Sequence, residues 1–132
     1  MKVLLADDSE MMLDALQEML SPFSQVEIVA ACKNGTDALE AIRSLKPDLA
    51  IVDIQMPGLT GIEVLTGIRK EGIITKFIIL TLYSSCYYRE LAIASGADYF
   101  FSKENDFEKI AGVVEEMVRK ENIENGSKTP NK

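Results

Sequence analysis

The sequence predicts an α/β domain in which a five-stranded parallel sheet, in the order 2-1-3-4-5, lies between two layers of helices. Short aliphatic runs alternate five times with segments whose apolar residues recur at helical spacing. Within runs such as Val3-Leu4-Leu5-Ala6 and Leu49-Ala50-Ile51-Val52, consecutive residues are apolar, which is typical of parallel strands buried on both faces. The connections between units are short, and right-handed crossovers then restrict the topology to a three-layer sandwich.

The first half of the chain contains three predicted strands, at residues 3–7, 26–30 and 49–53. Ser9 is a predicted N-cap for the first helix, which runs through Leu20 and is ended by Pro22. The second helix follows the Asn34-Gly35 turn and runs to about residue 45. Two helical stripes are expected to face the core: Met12, Leu16 and Met19 in the first helix, and Ala38, Ile42 and Leu45 in the second.

The second half repeats the pattern after a connection rich in Pro and Gly at residues 55–61. Two more strands are predicted at 77–81 and 99–101, and the helix between them is expected to end at Gly96. The helices before and after have apolar stripes of Ile62, Leu65 and Ile68, and of Phe107, Ile110, Ala111, Val114, Met117 and Val118. From about residue 122 apolar residues become rare, so we expect a domain over 1–121 and a solvated tail or linker over 122–132.

Composition excludes several classes of function. A net charge of −7 and a pI of about 4.6 make this domain itself a poor nucleic-acid binder. No apolar stretch approaches the roughly 20 residues of a membrane span, and the start of the sequence lacks the layout of a signal peptide. Cys32 and Cys86 do not suggest a disulfide framework, so we expect a cytoplasmic location. The absence of histidine excludes Ser-His and Cys-His catalysis and any histidine-liganded metal.

Three carboxylates fall at the ends of two predicted strands. Asp7 and Asp8 close the first aliphatic run, and Asp53 closes the third. Parallel sheets bind ligands at the carboxyl ends of their strands, so these acids are expected to converge on one crevice. Close carboxylates repel one another and resist burial unless a cation joins them. An oxygen-liganded divalent metal fits this set, and Mg²⁺ is the common intracellular one.

The same edge of the sheet offers groups suited to phosphoryl transfer. Asp53 is a candidate nucleophile, because a carboxylate accepts a phosphoryl group as an acyl phosphate. Such a reaction requires mainly positioning and charge neutralisation. Lys103 and Thr81 end later strands, so the sheet is expected to bring an ammonium group and a hydroxyl group to this crevice.

These motifs, taken in order, resemble the receiver domain of bacterial response regulators, the CheY-like superfamily of two-component signalling, over residues 2 to about 120. The residues that carry the resemblance are Asp7-Asp8 after strand one, Asp53-Ile54-Gln55-Met56-Pro57-Gly58-Leu59-Thr60-Gly61 after strand three, Thr81 after strand four, Gly96-Ala97-Asp98, and Lys103 after strand five. The resemblance implies a flavodoxin-like fold of the receiver type and a phosphoacceptor switch rather than a conventional enzyme.

The resemblance also implies roles for individual residues. Asp53 takes a phosphoryl group from a sensor histidine kinase or a phosphotransfer protein. Asp8, Asp53 and the backbone carbonyl of Gln55 bind Mg²⁺, and Asp7 assists. Lys103 and Thr81 contact the phosphoryl oxygens.

The resemblance implies a switching step as well. Thr81 moves inward and Phe100, at the aromatic switch position, follows it. The surface formed by the fourth helix, fifth strand and fifth helix then changes its affinity for a partner protein or a fused output domain. A homodimer through this surface is a further implication.

Gln55, Leu82 and Tyr83 are predicted to modulate the site, and Leu82 and Glu104 depart from the family pattern. Leu82 stands where the family usually has alanine or glycine, and it is expected to narrow access to Asp53. Tyr83 is expected to shield the phosphoryl group from water. Glu104 follows Lys103 where many members have proline, so a lysine–proline cis peptide is excluded.

Other functions were weighed against the switch. A degenerate receiver that acts only as a docking module remains open, because Leu82 can obstruct the site. A phosphatase of the haloacid-dehalogenase type needs a second aspartate two residues after its nucleophile, where Gln55 stands. A flavin-binding electron carrier needs a phosphate-cradling loop after strand one, and Asp7-Asp8-Ser9-Glu10 would repel phosphate.

Overall fold

The computed structural model describes residues 1–82 and 85–127, with side chains in the second range described through Ile123. Strands and helices alternate as predicted. The elements in chain order are β1 (Lys2–Ala6), α1 (Glu10–Leu20), β2 (Glu27–Cys32), α2 (Gly35–Leu45), β3 (Leu49–Val52), α3 (Gly61–Lys70), β4 (Lys76–Thr81), α4 (Cys86–Ala94), β5 (Tyr99–Ser102) and α5 (Lys109–Ser127). No helix among the described residues is long and apolar enough to cross a membrane.

The five strands form one parallel sheet in the order β2-β1-β3-β4-β5, which confirms the predicted topology. The register decides what lies at the carboxyl edge. Ala6 of β1 pairs with Val52 of β3, so the residues that follow these two strands emerge side by side. Thr81 of β4 pairs with Ser102 of β5, which brings the next residue, Lys103, to the same edge.

Both faces of the sheet are buried, each under its own layer of helices. Alternate strand residues such as Leu4, Ala50 and Phe77 pack beneath α2, α3 and α4. Their neighbours, including Leu5 and Ile51, pack beneath α1 and α5. This two-sided burial explains why the strands are apolar at consecutive positions rather than at alternate ones.

The predicted helix boundaries hold where a capping residue specifies them. The Ser9 side chain accepts a hydrogen bond from the Met12 N–H at 3.2 Å and caps α1. Thr60 and Glu63 form a reciprocal capping box at the start of α3. Gly96 follows α4 with a φ of +109°, a conformation that favours glycine.

Two predicted stripes are wrong in detail. Leu45 is 39% exposed rather than turned inward, because it is the last residue of α2 and lies beyond the part of the helix that covers the sheet. The side chains that α1 buries fully are Leu13, Leu16 and Leu20, whereas Met12 and Met19 lie at the margin of the same core. The buried face of α1 is therefore centred one position away from the predicted stripe.

Helix α5 continues past the predicted boundary at residue 121 and reaches Ser127. The amide groups of Gln25 and Asn122 exchange hydrogen bonds of 2.6 and 3.4 Å, which joins this part of the helix to the loop between α1 and β2. The end of the apolar pattern therefore does not coincide with the end of the helix. The division into a domain over 1–121 and a tail stays a prediction.

Candidate functional site

Asp7 and Asp53 stand next to each other at the carboxyl edge of the sheet. The backbone N–H of Asp7 donates to the Cys32 carbonyl at 2.9 Å, and that of Asp53 donates to the Ala6 carbonyl at 3.0 Å, so each acid extends its strand by one residue. Both acids are almost fully buried, with exposed fractions of 1% and 6%. Their positions are thus fixed by the sheet itself.

Local backbone hydrogen bonds orient the two carboxylates. Asp7 Oδ1 accepts a hydrogen bond of 2.9 Å from the N–H of Ser9, the residue that caps α1. Asp53 Oδ1 accepts one of 2.7 Å from the N–H of Ile54. In each acid the other oxygen, Oδ2, faces the ammonium group of Lys103.

Lys103 binds both acids at once. Its Nζ lies 2.7 Å from Asp7 Oδ2 and 3.1 Å from Asp53 Oδ2, and its side chain is only 8% exposed. Its backbone N–H donates to the Thr81 carbonyl at 2.9 Å, which anchors the residue at the end of β5. The predicted meeting of Lys103 with the acids is therefore present in the structure.

The turn that follows Lys103 is held by Ser102 and Asp106. The Ser102 N–H donates to Asp106 Oδ2 at 2.9 Å, and the Ser102 hydroxyl accepts from the N–H groups of Glu104 and Asn105 at 3.2 and 3.3 Å. No cis peptide bond occurs in the described ranges. Side-chain hydrogen bonds from Ser102 and Asp106 thus shape the loop after Lys103.

Burial and charge act against each other in this cluster. Burial raises the pKa of the Asp53 carboxyl, and the charge of Asp7 raises it further, while the charge of Lys103 lowers it without reversing the shift. Burial alone lowers the pKa of the Lys103 ammonium, but the hydrogen bond to Asp7 and the charge of Asp53 outweigh it, so this pKa is raised. The charged form of Lys103 is therefore favoured, while the ionised form of Asp53 is disfavoured relative to a solvent-exposed carboxylate.

The acids form a suitable donor set for a divalent cation. Carboxylate oxygens of Asp7, Asp8 and Asp53 all lie within 4.8 Å of one another, and Asp8 is exposed to solvent. Together with the Lys103 ammonium, the three carboxylates leave a formal charge of −2 when all are ionised. Hard oxygen ligands, an excess of negative charge and one open side fit Mg²⁺. The backbone carbonyl of Gln55 as a further ligand stays a prediction.

The two predicted switch residues are both buried. Thr81 closes β4 at the same edge as the acids and has no exposed surface. Phe100 lies on β5, is 3% exposed, and packs in the core beneath α4. The guanidinium carbon of Arg89, on α4, lies 5.0 Å from the centre of the Phe100 ring. The movement of Thr81 and Phe100 stays a prediction.

The predicted modulating residues are placed only in part. Leu82 directly follows Thr81, and its side chain is 58% exposed rather than buried in the core. Its effect on access to Asp53 stays a prediction. Tyr83, the predicted shield, lies outside the described residues.

Sequence reasoning treated Gly61 only as a turn residue and missed its role in positioning Asp53. The Gly61 N–H donates to the Ile54 carbonyl at 2.9 Å, and a side chain at Gly61 would collide with the backbone carbonyl of Asp53. A glycine at the first position of a helix, a few residues after a strand-end acid, is the signal that marks such a close approach. Ser102 and Asp106, which hold the turn after Lys103, gave no such signal.

Comparison with known proteins places this geometry in a family. The model of the response regulator receiver domain matches residues 3–115. The transcriptional regulatory protein DesR of Bacillus subtilis is 31% identical over 121 residues, which cover 92% of this chain and 60% of DesR. The DNA-binding transcriptional activator EvgA of Escherichia coli K12 is 30% identical over 115 residues, which cover 87% of this chain and 56% of EvgA. The chain thus spans about three fifths of the length of these curated relatives.

Solved structures agree with the sequence relatives. A DNA-binding response regulator of the LuxR family from Staphylococcus aureus is 33% identical, with a TM-score of 0.81 over 87% of this chain and 96% of that one. The response regulator domain of Thermotoga maritima CheB is 30% identical, with a TM-score of 0.78 over 91% of this chain and 94% of that one. By sequence and by fold, this chain belongs to the family of response regulator receiver domains of two-component signalling.

Proposed function

We propose that this domain is a phosphorylation-dependent switch whose phosphoacceptor is Asp53. The observation that carries the proposal is the contact between the buried Asp53 carboxylate and the Lys103 ammonium, at 3.1 Å. A buried carboxylate with a raised pKa is poorly solvated and therefore reactive toward phosphorus, while the ammonium beside it neutralises the charge that phosphoryl transfer brings.

The proposed step is a simple displacement. An oxygen of Asp53 attacks the phosphorus of a phosphohistidine on a sensor kinase or a phosphotransfer protein; the new O–P bond forms as the P–N bond breaks, and the imidazole leaves with the electron pair and takes up a proton. Asp8 and Asp53, with Asp7 and the carbonyl of Gln55, would hold Mg²⁺, which supplies charge neutralisation for the transferring group. Lys103 and the Thr81 hydroxyl bind the phosphoryl oxygens, so this chain assists both its own phosphorylation and its dephosphorylation.

Phosphorylation then biases a two-state equilibrium. In the phosphorylated state Thr81 contacts the phosphoryl group and Phe100 follows Thr81, whereas in the other state this contact is missing. The α4-β5-α5 surface therefore differs between the two states. DesR and EvgA are named as transcriptional regulators and exceed the length of this chain, so a fused DNA-binding output domain is part of the proposal. With a net charge of −7, the receiver domain itself does not bind nucleic acid.

No observation on the described residues favours the docking-module alternative, since the acids and Lys103 are all in place. A homodimer through α4-β5-α5 and a cytoplasmic location belong to the proposal. Sedimentation analysis with and without a phosphoryl mimic tests the dimer. A sedimentation coefficient that stays monomeric under both conditions counts against it.

The decisive experiment is intact-mass analysis after incubation with acetyl phosphate and Mg²⁺. We expect the mass of a single phosphoryl group to be added to the wild type, its loss in Asp53→Asn, and no addition in EDTA. Asp14→Asn, which removes an exposed carboxylate of α1, is the matched control and should behave as the wild type. Equal phosphorylation of Asp53→Asn would place the acceptor elsewhere, and a wild type that stays unmodified at long times would favour the docking module.

A further inference from the structure

Arg89 lies at the boundary between α4 and the switch aromatic. Its guanidinium carbon is 5.0 Å from the centre of the Phe100 ring, within the range of a cation–π interaction. The ring is 3% exposed, whereas Arg89 itself is exposed to solvent. The exposed guanidinium therefore contacts a buried ring, which belongs to the same core as Ala92 and Ala97.

The charge of the same arginine also acts on an acid of the turn that shapes the phosphoryl site. The pKa of Asp106 is lowered, first by the hydrogen bond from the Ser102 N–H, next by Lys109, and also by the charge of Arg89. Ser102 directly precedes Lys103. Arg89 thus contacts Phe100 from α4, and its charge also acts on Asp106 in the turn after Lys103.

We infer that Arg89 is a positioning residue that favours the buried conformation of Phe100 and thereby the phosphorylation-competent state of the domain. The inference rests on the proposed function, in which the buried conformation of Phe100, already present in this structure at 3% exposure, belongs to the state that phosphorylation favours. An arginine that stabilises the ring only while the ring is buried raises the population of that conformation. A cation–π contact at a partly exposed site changes such an equilibrium by about two- to five-fold.

The linkage is reciprocal. If Arg89 favours the state that accepts a phosphoryl group, phosphorylation must in turn strengthen the contact between Arg89 and Phe100 by the same factor. Partner proteins that bind α4 and engage Arg89 would withdraw it from the ring. The rate at which Asp53 is phosphorylated would then depend on whether a partner is bound at α4 as well as on the phosphodonor.

The test compares Arg89→Gln, which removes the charge, with Arg89→Lys, which retains it. The rate of phosphorylation by acetyl phosphate and Mg²⁺ is measured by intact mass, and the ring signals of Phe100 are recorded by NMR without phosphodonor and with beryllofluoride. Arg119→Gln is the matched control, because Arg119 is an exposed arginine of α5 that pairs with Glu116 at 3.0 Å. Thermal unfolding confirms that each variant is folded.

We expect Arg89→Gln to lower the phosphorylation rate about two- to five-fold and to shift the Phe100 ring signals toward those of an exposed ring. Arg89→Lys should recover most of the rate, and Arg119→Gln should leave both readouts unchanged. In a Phe100→Leu background, Arg89→Gln should have no further effect. Equal rates and ring signals in wild type and Arg89→Gln, or equal impairment of the Gln and Lys variants, would overturn the inference.

The two proposals fail separately. If the wild type takes up no phosphoryl group, the proposed function fails while the ring signals still decide on Arg89. If the wild type is phosphorylated on Asp53 and Arg89→Gln behaves as the wild type in both readouts, only the role of Arg89 is lost.

Discussion

Replacing Lys103 by methionine tests how much the ammonium group stabilises the two buried carboxylates of the site. The ammonium lies 2.7 Å from Asp7 and 3.1 Å from Asp53, and all three side chains are at most 8% exposed. Methionine has a similar length and no charge, so Lys103→Met fills the same space and leaves two buried carboxylates without their cation. The perturbation is therefore mainly electrostatic.

The expected loss follows from this geometry. Removing one partner of a buried ion pair costs about 3–5 kcal/mol, because the remaining charge is left uncompensated. Uptake of a proton by one of the two acids limits the loss, so we expect about 3 kcal/mol at pH 7 in EDTA. With a urea m-value of about 2 kcal/mol/M, the midpoint of unfolding should fall by about 1.5 M.

The pH dependence gives the sign of the effect. In the wild type the raised pKa of Lys103 means that its stabilisation is complete below about pH 10.4 and is lost only as the pH rises through the folded-state value. In Lys103→Met the pKa of Asp53, which burial already raises, loses the Lys103 charge that lowers it and rises further above the value of the unfolded chain. The destabilisation should therefore be small below about pH 4 and should grow as the pH rises toward neutrality.

Urea denaturation of wild type and variant at pH 4 and pH 7, in EDTA and in Mg²⁺, measures these effects. Lys33→Met is the control, because Lys33 forms a solvent-exposed ion pair with Glu10 whose loss should change stability much less than the loss of Lys103. Mg²⁺ should stabilise Lys103→Met more than the wild type, since the uncompensated acids attract the cation more strongly. A loss in EDTA no larger than that of the control, or one independent of pH, would refute the reasoning.

Three further predictions concern residues around the acceptor. Because the pKa of Asp53 is raised on folding, its ionisation opposes folding at neutral pH. Asp53→Asn should therefore raise the unfolding temperature in EDTA and remove most of the increase in unfolding temperature that Mg²⁺ causes. An unfolding temperature below that of the wild type contradicts this. Gly61→Ala sets a methyl group against the Asp53 carbonyl, so it should lower the free energy of unfolding in urea by about 1–3 kcal/mol and slow phosphorylation. Gly112→Ala is the control: a methyl group there meets nothing within 4 Å and should stabilise α5 by about 0.5–1 kcal/mol. Leu82→Ala should speed both formation and loss of the acyl phosphate, followed by intact mass over time, and unchanged rates would remove the steric explanation.

The fold was predictable because its sheet is buried on both faces. Runs such as Leu49-Ala50-Ile51-Val52 leave little choice of structure, and the acids that end them fall at the edge where parallel strands meet. Lys103 and Asp53 are 50 residues apart in sequence, yet pairing of β3, β4 and β5 in register is sufficient to join them. Strand order and register thus determine the positions of most of the site residues.

Features set by the ends of helices and by side-chain contacts were not predictable in the same way. The exposure of Leu45 depends on where α2 ends relative to the sheet, which periodicity does not record. No apolar stripe marks the extension of α5 beyond residue 121. The Gln25–Asn122 hydrogen bond in this part of the helix joins residues 97 positions apart, which no local sequence pattern records. Arg89 and Phe100 likewise meet only through the packing of α4 on β5.

The proposed dependence of phosphorylation on a divalent cation is expected from the way Lys103 is shared between two acids. In the unphosphorylated domain its ammonium serves the Oδ2 atoms of both Asp7 and Asp53. A phosphoryl group on Asp53 adds negative charge and acceptor oxygens beside that ammonium, which draws Lys103 away from Asp7. Asp7 and the exposed Asp8 would then lack a counter-charge in a largely buried site, and a hard divalent cation is the group that supplies it. On this reasoning Mg²⁺ should stabilise the phosphorylated domain against unfolding more than it stabilises the unphosphorylated one.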